Sequence, residues 1–342
     1  MTLAPTLPPP PPTPEAKAAE TPAPSDDPDS DRTLPTLQAL RFDPPEIIDG
    51  GTSQLTVAAT DDLSGVKYVY GTVRSPGETA VLTFAGEDAS GQGTGPFTAK
   101  ITVPHQAEAG GWYVATLQIV DRAGNWLNLV YNKGSVPAGG TLRVVSENAD
   151  SAAPTVRSIS VRDATVDAGK MNKLIVEVDD DRSGVASVTG AISSPSKTAL
   201  VPFSCQPNAQ TGTWDADVPI PANADCGTWT VAHVRAADKA NNTAVIAAGN
   251  PVVDRATFAV GGGSCDSEPP LIDSVTLSPN VVSNASATEI AITVVAHDAA
   301  SGIGSLSGRI DGPMAPNGQF PRVFFAAEPN PCLLYTSDAA DE

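Results

Sequence analysis

The sequence predicts an all-β chain, a tandem array of antiparallel β-sandwiches behind a Pro-rich tether. Three observations predict it. Asp61-Asp62-Leu63-Ser64-Gly65-Val66 returns as Asp180-Asp181-Arg182-Ser183-Gly184-Val185, and again as Asp298-Ala299-Ala300-Ser301-Gly302-Ile303, at steps of 119 and 118 residues. That period is far longer than a solenoid unit and suits one small sandwich. Apolar and polar residues alternate in short runs, and Gly, Pro, Asn or Asp breaks them about every ten residues, as in strands joined by tight turns.

The repeat extends beyond this hexapeptide. At an offset of 119, Leu55, Val57, Val69, Gly71, Ser75, Pro76 and Phe84 match Leu174, Val176, Val188, Gly190, Ser194, Pro195 and Phe203. At 117, Pro104, Gly110, Trp112, Asp121 and Asn125 match Pro221, Gly227, Trp229, Asp238 and Asn242. The third copy keeps Val294, Gly308 and Pro313. These registers place modules at 37–148 and 153–262 and a partial third at 268–331. Residues 1–36, with the run Pro8 to Pro12, read as an extended acidic spacer. Met1 to Pro5 has neither the basic start nor the apolar stretch of a signal peptide, so an exported protein would begin upstream. Residues 332–342 resemble a translated sequencing adapter and are set aside, leaving a third module that stops at about half a period.

In the first module, Leu37–Phe42, Gln54–Thr60, Val66–Val73, Thr79–Phe84, Phe97–Val103 and Trp112–Asp121 are expected strands. A final irregular strand is split between Leu127–Tyr131 and Thr141–Val145. Trp112 and Trp229 read as core; Trp126 and Trp214 have no evident counterpart and read as exposed contact residues.

The Asp-x-x-Ser-Gly segment follows the second strand, and Asp121-Arg122-Ala123-Gly124-Asn125 and Asp238-Lys239-Ala240-Asn241-Asn242 follow the sixth. In an immunoglobulin-like sandwich both loops lie at the pole where the upstream linker enters. Asp61, Asp62, Asp121 and Asn125 should converge there, and so should Asp180, Asp181, Asp238 and Asn242, facing Glu147 and Asp150. Asp298 belongs to the third copy. Two roles fit. Asp can hold a turn by accepting backbone N–H bonds while Gly supplies positive φ. Alternatively, carboxylates with an Asn carbonyl suit Ca²⁺, which takes 6–8 oxygen ligands. The turn is the first reading.

Cys205 and Cys226 fall where the first module has Gly86 and Ala109. Their joint absence there predicts a disulfide, worth roughly 3 kcal/mol, and an oxidising compartment. Cys265 has no partner visible in the sequence.

Asp-Asp-x-Ser-Gly-Val, the Ser75-Pro76 pair, Ala109-Gly110-Gly111-Trp112 and Asp-x-Ala-Gly-Asn resemble the signature of tandem bacterial Ig-like domains of surface proteins and secreted multidomain enzymes. Asp61, Ser64, Gly65, Gly110, Trp112, Asp121, Gly124 and Asn125 carry the resemblance, and Asn241 departs from it where the first module has Gly124. The resemblance implies a tandem immunoglobulin-like fold. A formal charge of −19 argues against nucleic acid and anionic membrane surfaces as partners. His105, His233 and His297 form no zinc-protease pattern, and no nucleophile elbow or phosphate loop occurs. The expected protein is therefore a non-catalytic extracellular spacer or adhesive array contacting a surface, polysaccharide or protein. The alternative is an accessory region of a larger secreted hydrolase.

Overall fold

The computed structural model describes residues 31–88, 95–263, 265–282, 289–312 and 322–327. The Pro-rich run and the segment 332–342 lie outside these residues.

The first module contains β1 (Thr36–Asp43), β2 (Glu46–Ile48), β3 (Thr52–Thr60), β4 (Val66–Arg74), β5 (Val81–Asp88), β6 (Phe97–Thr102), β7 (Gly110–Asp121), β8 (Trp126–Val130) and β9 (Thr141–Val145). Strands run β1-β3-β6 on one face and β5-β4-β7-β9-β2 on the other, with β8 on the free side of β7. Strand β5 pairs with both β4 and β6, which joins the two faces. All pairings are antiparallel except β2 with β9. Leu55, Val57 and Ala59 alternate inward along β3, as the period of two requires, and β1 meets them in the register Leu40↔Val57.

The second module repeats the plan with β10 (Thr155–Val161), β11 (Thr165–Asp167), β12 (Met171–Asp179), β13 (Val185–Ser193), β14 (Leu200–Ser204), β15 (Gln206–Asn208), β16 (Thr213–Pro219), β17 (Gly227–Asp238), β18 (Thr243–Ala247), the one-turn α1 (Pro251–Asp254) and β19 (Thr257–Gly261). Its sheets run β10-β12-β16-β15 and β11-β19-β17-β13-β14, with β18 on β17. One core draws on residues from Leu40 to Val144, and a second on residues from Ile159 to Val260. Both modules are thus immunoglobulin-like antiparallel sandwiches.

The described part of the third copy is two hairpins, β20 (Leu271–Ser278) with β21 (Ala291–His297) and β22 (Leu306–Asp311) with β23 (Arg322–Ala327). A register shift recurs in all three copies, at Leu37/Ala39, Val156/Ser158 and Ile272/Ser274. The apolar residues Ile272, Val275 and Leu277 on either side of this shift are exposed.

Two repeated signatures have packing causes. Gly71, Gly190 and Gly308 each sit across from a phenylalanine on the neighbouring strand: Phe84, Phe203 and Phe325. A Cβ on Gly71 would lie 2.1 Å from the Thr116 carbonyl oxygen and 2.9 Å from the Phe84 ring; on Gly190 it would lie 2.3 Å from the His233 carbonyl oxygen. The ring occupies the space a side chain would need. At the far pole, Gly110 and Gly227 have φ of +126° and +124° and lie against Pro76 and Pro195. The indoles of Trp112 and Trp229 are fully buried, and each donates its N–H to a backbone carbonyl, of Glu108 and Asp225 respectively, at 2.8 Å.

Two sequence expectations are corrected. Trp214 is not an outward contact residue: it occupies the β16 position that Phe97 takes in β6, opposite Val176 as Phe97 is opposite Val57, and it packs on the core. The disulfide is not Cys205–Cys226. Cys226 bonds Cys265, whereas Cys205 is a free thiol between β14 and β15, buried in the second core. Its thiol is pushed up to about 12 by burial and by the nearby Asp215 carboxylate, so it is inert as a nucleophile.

Gly71→Ala should destabilise the first module by about 3 kcal/mol or more, because the new methyl meets rigid backbone rather than a movable side chain. Urea unfolding followed by tryptophan fluorescence measures this, and a change below about 0.5 kcal/mol would contradict the packing argument.

Candidate functional site

The threefold motif lies where a linker enters a module, and its first task is to fold a loop. Asp61 Oδ1 accepts from the backbone N–H groups of Ser64 at 3.0 Å and Gly65 at 2.9 Å. Gly65, Gly184 and Gly302 all have positive φ, from 75° to 84°, which L residues with a Cβ rarely adopt. In the second module Asp180 Oδ2 accepts from Gly184 N at 2.6 Å, and in the third Asp298 Oδ1 accepts from Ser301 N and Gly302 N, each at 2.8 Å. Asp62 is exposed and accepts from the Thr33 hydroxyl.

The loop after β7 is tied to this one. Asp121 is fully buried and accepts from Asn125 N at 2.8 Å and Asn125 Nδ2 at 2.9 Å. Asp238 does the same with Asn242, at 2.7 and 2.8 Å. The Ser64 and Ser183 hydroxyls accept from Ala123 N and Ala240 N, each at 3.3 Å, and join the two loops. Gly124 and Asn241 both have positive φ, at 93° and 70°. The departure from Gly to Asn is therefore conservative, since Asn tolerates the left-handed region.

A third carboxylate completes each site, and it comes from the linker. Asp31 Oδ2 accepts from Ser64 N at 3.0 Å, and Asp150 Oδ2 from Ser183 N at 2.9 Å. Asp266 Oδ2 accepts from Ser301 N at 3.1 Å. The backbone carbonyls of Asp31 and Asp150 also accept from Asn125 Nδ2 and Asn242 Nδ2, both at 3.2 Å. Sequence reasoning placed Asp150 correctly, but Glu147 is exposed. Asp31 and Asp266 are not among the residues expected from the sequence: the first falls in the acidic spacer and the second between the module boundaries at 262 and 268. The available signal was Asp-x-x-x-Pro, present as Asp31…Pro35, Asp150…Pro154 and Asp266…Pro270.

Asp31, Asp61 and Asp121 present carboxylate oxygens within 4.8 Å of one another, as do Asp150, Asp180 and Asp181. These are the residues that could hold a cation. Asp61 Oδ2 and Asp180 Oδ1 are buried with no hydrogen-bond partner. The asparagines contribute differently from expectation: both turn Nδ2 toward the carboxylates, and Asn242 Oδ1 accepts from the Thr79 hydroxyl of the preceding module at 2.6 Å. Burial raises the Asp121 carboxyl to about 6, assisted by Asp31 and Asp61 and opposed by the Asn125 bonds. Asp238 is raised for the same reason, with Asp150 and Asp180 as its charged neighbours.

The second module's pole rests on the base of the first. Thr243 N donates to Thr79 O at 2.9 Å, Asn241 Nδ2 donates to Val81 O at 2.6 Å, and Ala80 and Asn242 form a β-bridge. Asp150 N donates to Gln106 O at 2.7 Å, and Gln106 N donates to Asp49 Oδ2 at 2.6 Å.

No protein-family model matches the chain, and neither does any curated protein. Among solved structures it is similar to a DUF4785 family protein from Legionella pneumophila (11% identity, TM-score 0.23, 61% of this chain), spanning 54% of that protein's length. It is also similar to the D00-D0 domain of intimin (13%, 0.17, 65% of this chain and 97% of that one). A third similarity is to murine CEACAM1b (12%, 0.18, 65% and 96%).

Because Asp121 is held neutral more readily when folded than when unfolded, its contribution to stability is fully present below about pH 4 and is lost as pH rises through about 6. In chelator, the stability difference between the native chain and Asp121→Asn should therefore fall from pH 4 to pH 7. Urea titrations at half-unit pH steps measure it, and a flat difference would refute the burial argument.

Proposed function

We propose that this chain is a non-catalytic extracellular array of immunoglobulin-like modules that works as a spacer, holding an adhesive contact at a set distance and angle. The observation that carries this reading is the linker carboxylate. Asp31, Asp150 and Asp266 each reach the N–H of the same motif serine, so the chain entering each module is tied to that module's own loops. At the part-buried Asp31 and buried Asp150 bonds, charge-assisted bonds of this kind contribute about 1.5–3 kcal/mol each, well above an exposed ion pair; the Asp266 bond is exposed and weaker. The docking of Asn241 to Thr243 on Thr79 to Val81 adds a second constraint at the first joint. A freely jointed string of domains needs neither.

The expected outcome of Asp150→Ala in the full chain is a looser first joint with both cores intact. Small-angle scattering should show a broader distribution of interatomic distances, and the two module melting transitions should shift by less than about 2 kcal/mol. An unchanged distribution would defeat the spacer reading.

One observation favours a divalent cation at the same joints. Asp61 Oδ2 and Asp180 Oδ1 are buried without partners, and each stands among three carboxylates. Ca²⁺ fits an all-oxygen donor set and would offset the repulsion that neighbouring carboxylates add to the burial that raises Asp121 and Asp238. After chelation, millimolar CaCl₂ should raise the melting temperature by several degrees, equivalent to about 2–3 kcal/mol. Asp61→Asn should reduce that gain. An unchanged melting temperature would eliminate the cation.

A further inference from the structure

The Cys226–Cys265 bond joins the base of the second module to the linker that leaves it. The repeat provides an internal comparison. In the first module the corresponding positions are Ala109 and Ala149. That joint is held without covalent help, by Asp49 Oδ2 accepting from Gln106 N and Gln106 O accepting from Asp150 N. The second module has Ala168 where the first has Asp49, and Asn223 where it has Gln106. The acid that orders the first joint is thus absent from the second, and a disulfide stands at the same corner. Cys265 immediately precedes Asp266, the carboxylate that reaches Ser301 N. Cys265 is exposed and Cys226 half-buried, whereas Cys205 is sealed in the core. A reductant therefore meets the joint before it meets the sandwich.

We propose that Cys226–Cys265 is a redox latch on the second joint. Intact, it pins the departing chain to the module base and delivers Asp266 to the next motif loop. Reduced, it releases the linker, so the third copy swings on the second while the second sandwich stays folded. The reductant is a dithiol. One of its thiolates attacks a cystine sulfur to give a mixed disulfide, and its second thiol closes on the first and expels the other cysteine. Two electrons and two protons pass to the protein, and the dithiol leaves as a disulfide. The first joint has no cysteine and does not respond. The latch rests on the spacer reading and adds regulation to it.

Hydrogen exchange of the full chain tests this, comparing air-oxidised protein, protein reduced with dithiothreitol, and Cys226→Ala/Cys265→Ala kept oxidising. Peptides spanning 265–272 should exchange about tenfold faster in the second and third samples, while those spanning 146–156 and the β17 core stay unchanged. Three results would overturn the latch: no acceleration at 265–272; acceleration there only together with β17, which makes the bond a staple of the sandwich; or peptide mapping that pairs Cys226 with Cys205. Fast exchange at 146–156 in the oxidised chain would instead overturn the spacer reading, leaving the contrast at the second joint still readable.

Discussion

The arrangement depends on one constraint: a carboxylate carried into the pole of a sandwich must find N–H groups there. Asp121 and Asp238 end the longest strand of each module in a buried position and cannot turn to water. Each closes on the asparagine four residues later, and that shapes the second loop. The asparagine amide then reaches the linker carbonyl, and the linker carboxylate reaches the motif serine of the first loop. Unpaired, such buried groups would cost about 1–3 kcal/mol each, so loop shape and linker path are selected together. Exposed ion pairs such as Arg41 with Asp43 and Arg143 with Glu46 hold no comparable leverage.

The base of each module answers a different demand. It must turn the chain sharply and still present a backbone edge. Ser75 accepts from Glu78 N and donates to Ala80 O through its backbone, while Glu78 takes positive φ; Ser194, Ala199 and Lys197 repeat the turn. The proline after each serine packs on Gly110 or Gly227, which lets the strand bearing the buried tryptophan begin. In the first module this turn also offers the Thr79 and Val81 carbonyls to the next module. Signatures that look separate in the sequence are therefore two halves of one joint.

Fold legibility was high because repeats and alternation encode strands locally. Thr141–Val145 begins and ends as expected, and β3, β4, β6 and β7 start or end within two residues of expectation. Legibility failed where a contact joins residues far apart. Asp31 lies in a stretch whose composition says tether, and only its N–H partner 33 residues later makes it part of a site. The cysteines misled for a related reason. Absence from a sister module is shared by any two substitutions, and it does not tell a core thiol from a surface bridge. Trp214 misled because Phe fills its place in the sister module, so no identity marked the match.

The internal repeat separates what folding requires from what a particular joint requires. Positions kept in every copy, such as the motif serine, its glycine and the Gly–Phe pair, satisfy demands that each sandwich makes alone. Positions that differ at equivalent corners, such as Asp49 against Ala168 and Ala109 against Cys226, sit on the linker side of the base. Core positions vary as well, with Trp214 and Cys205 where the first module has Phe97 and Gly86, but only the changes on the linker side alter what one module offers to the next. Asn241 shows how little is required. A change from glycine keeps the left-handed turn, and its side chain adds a bond to the Val81 carbonyl of the neighbouring module. Geometry between modules can thus change without disturbing the sandwich that carries it.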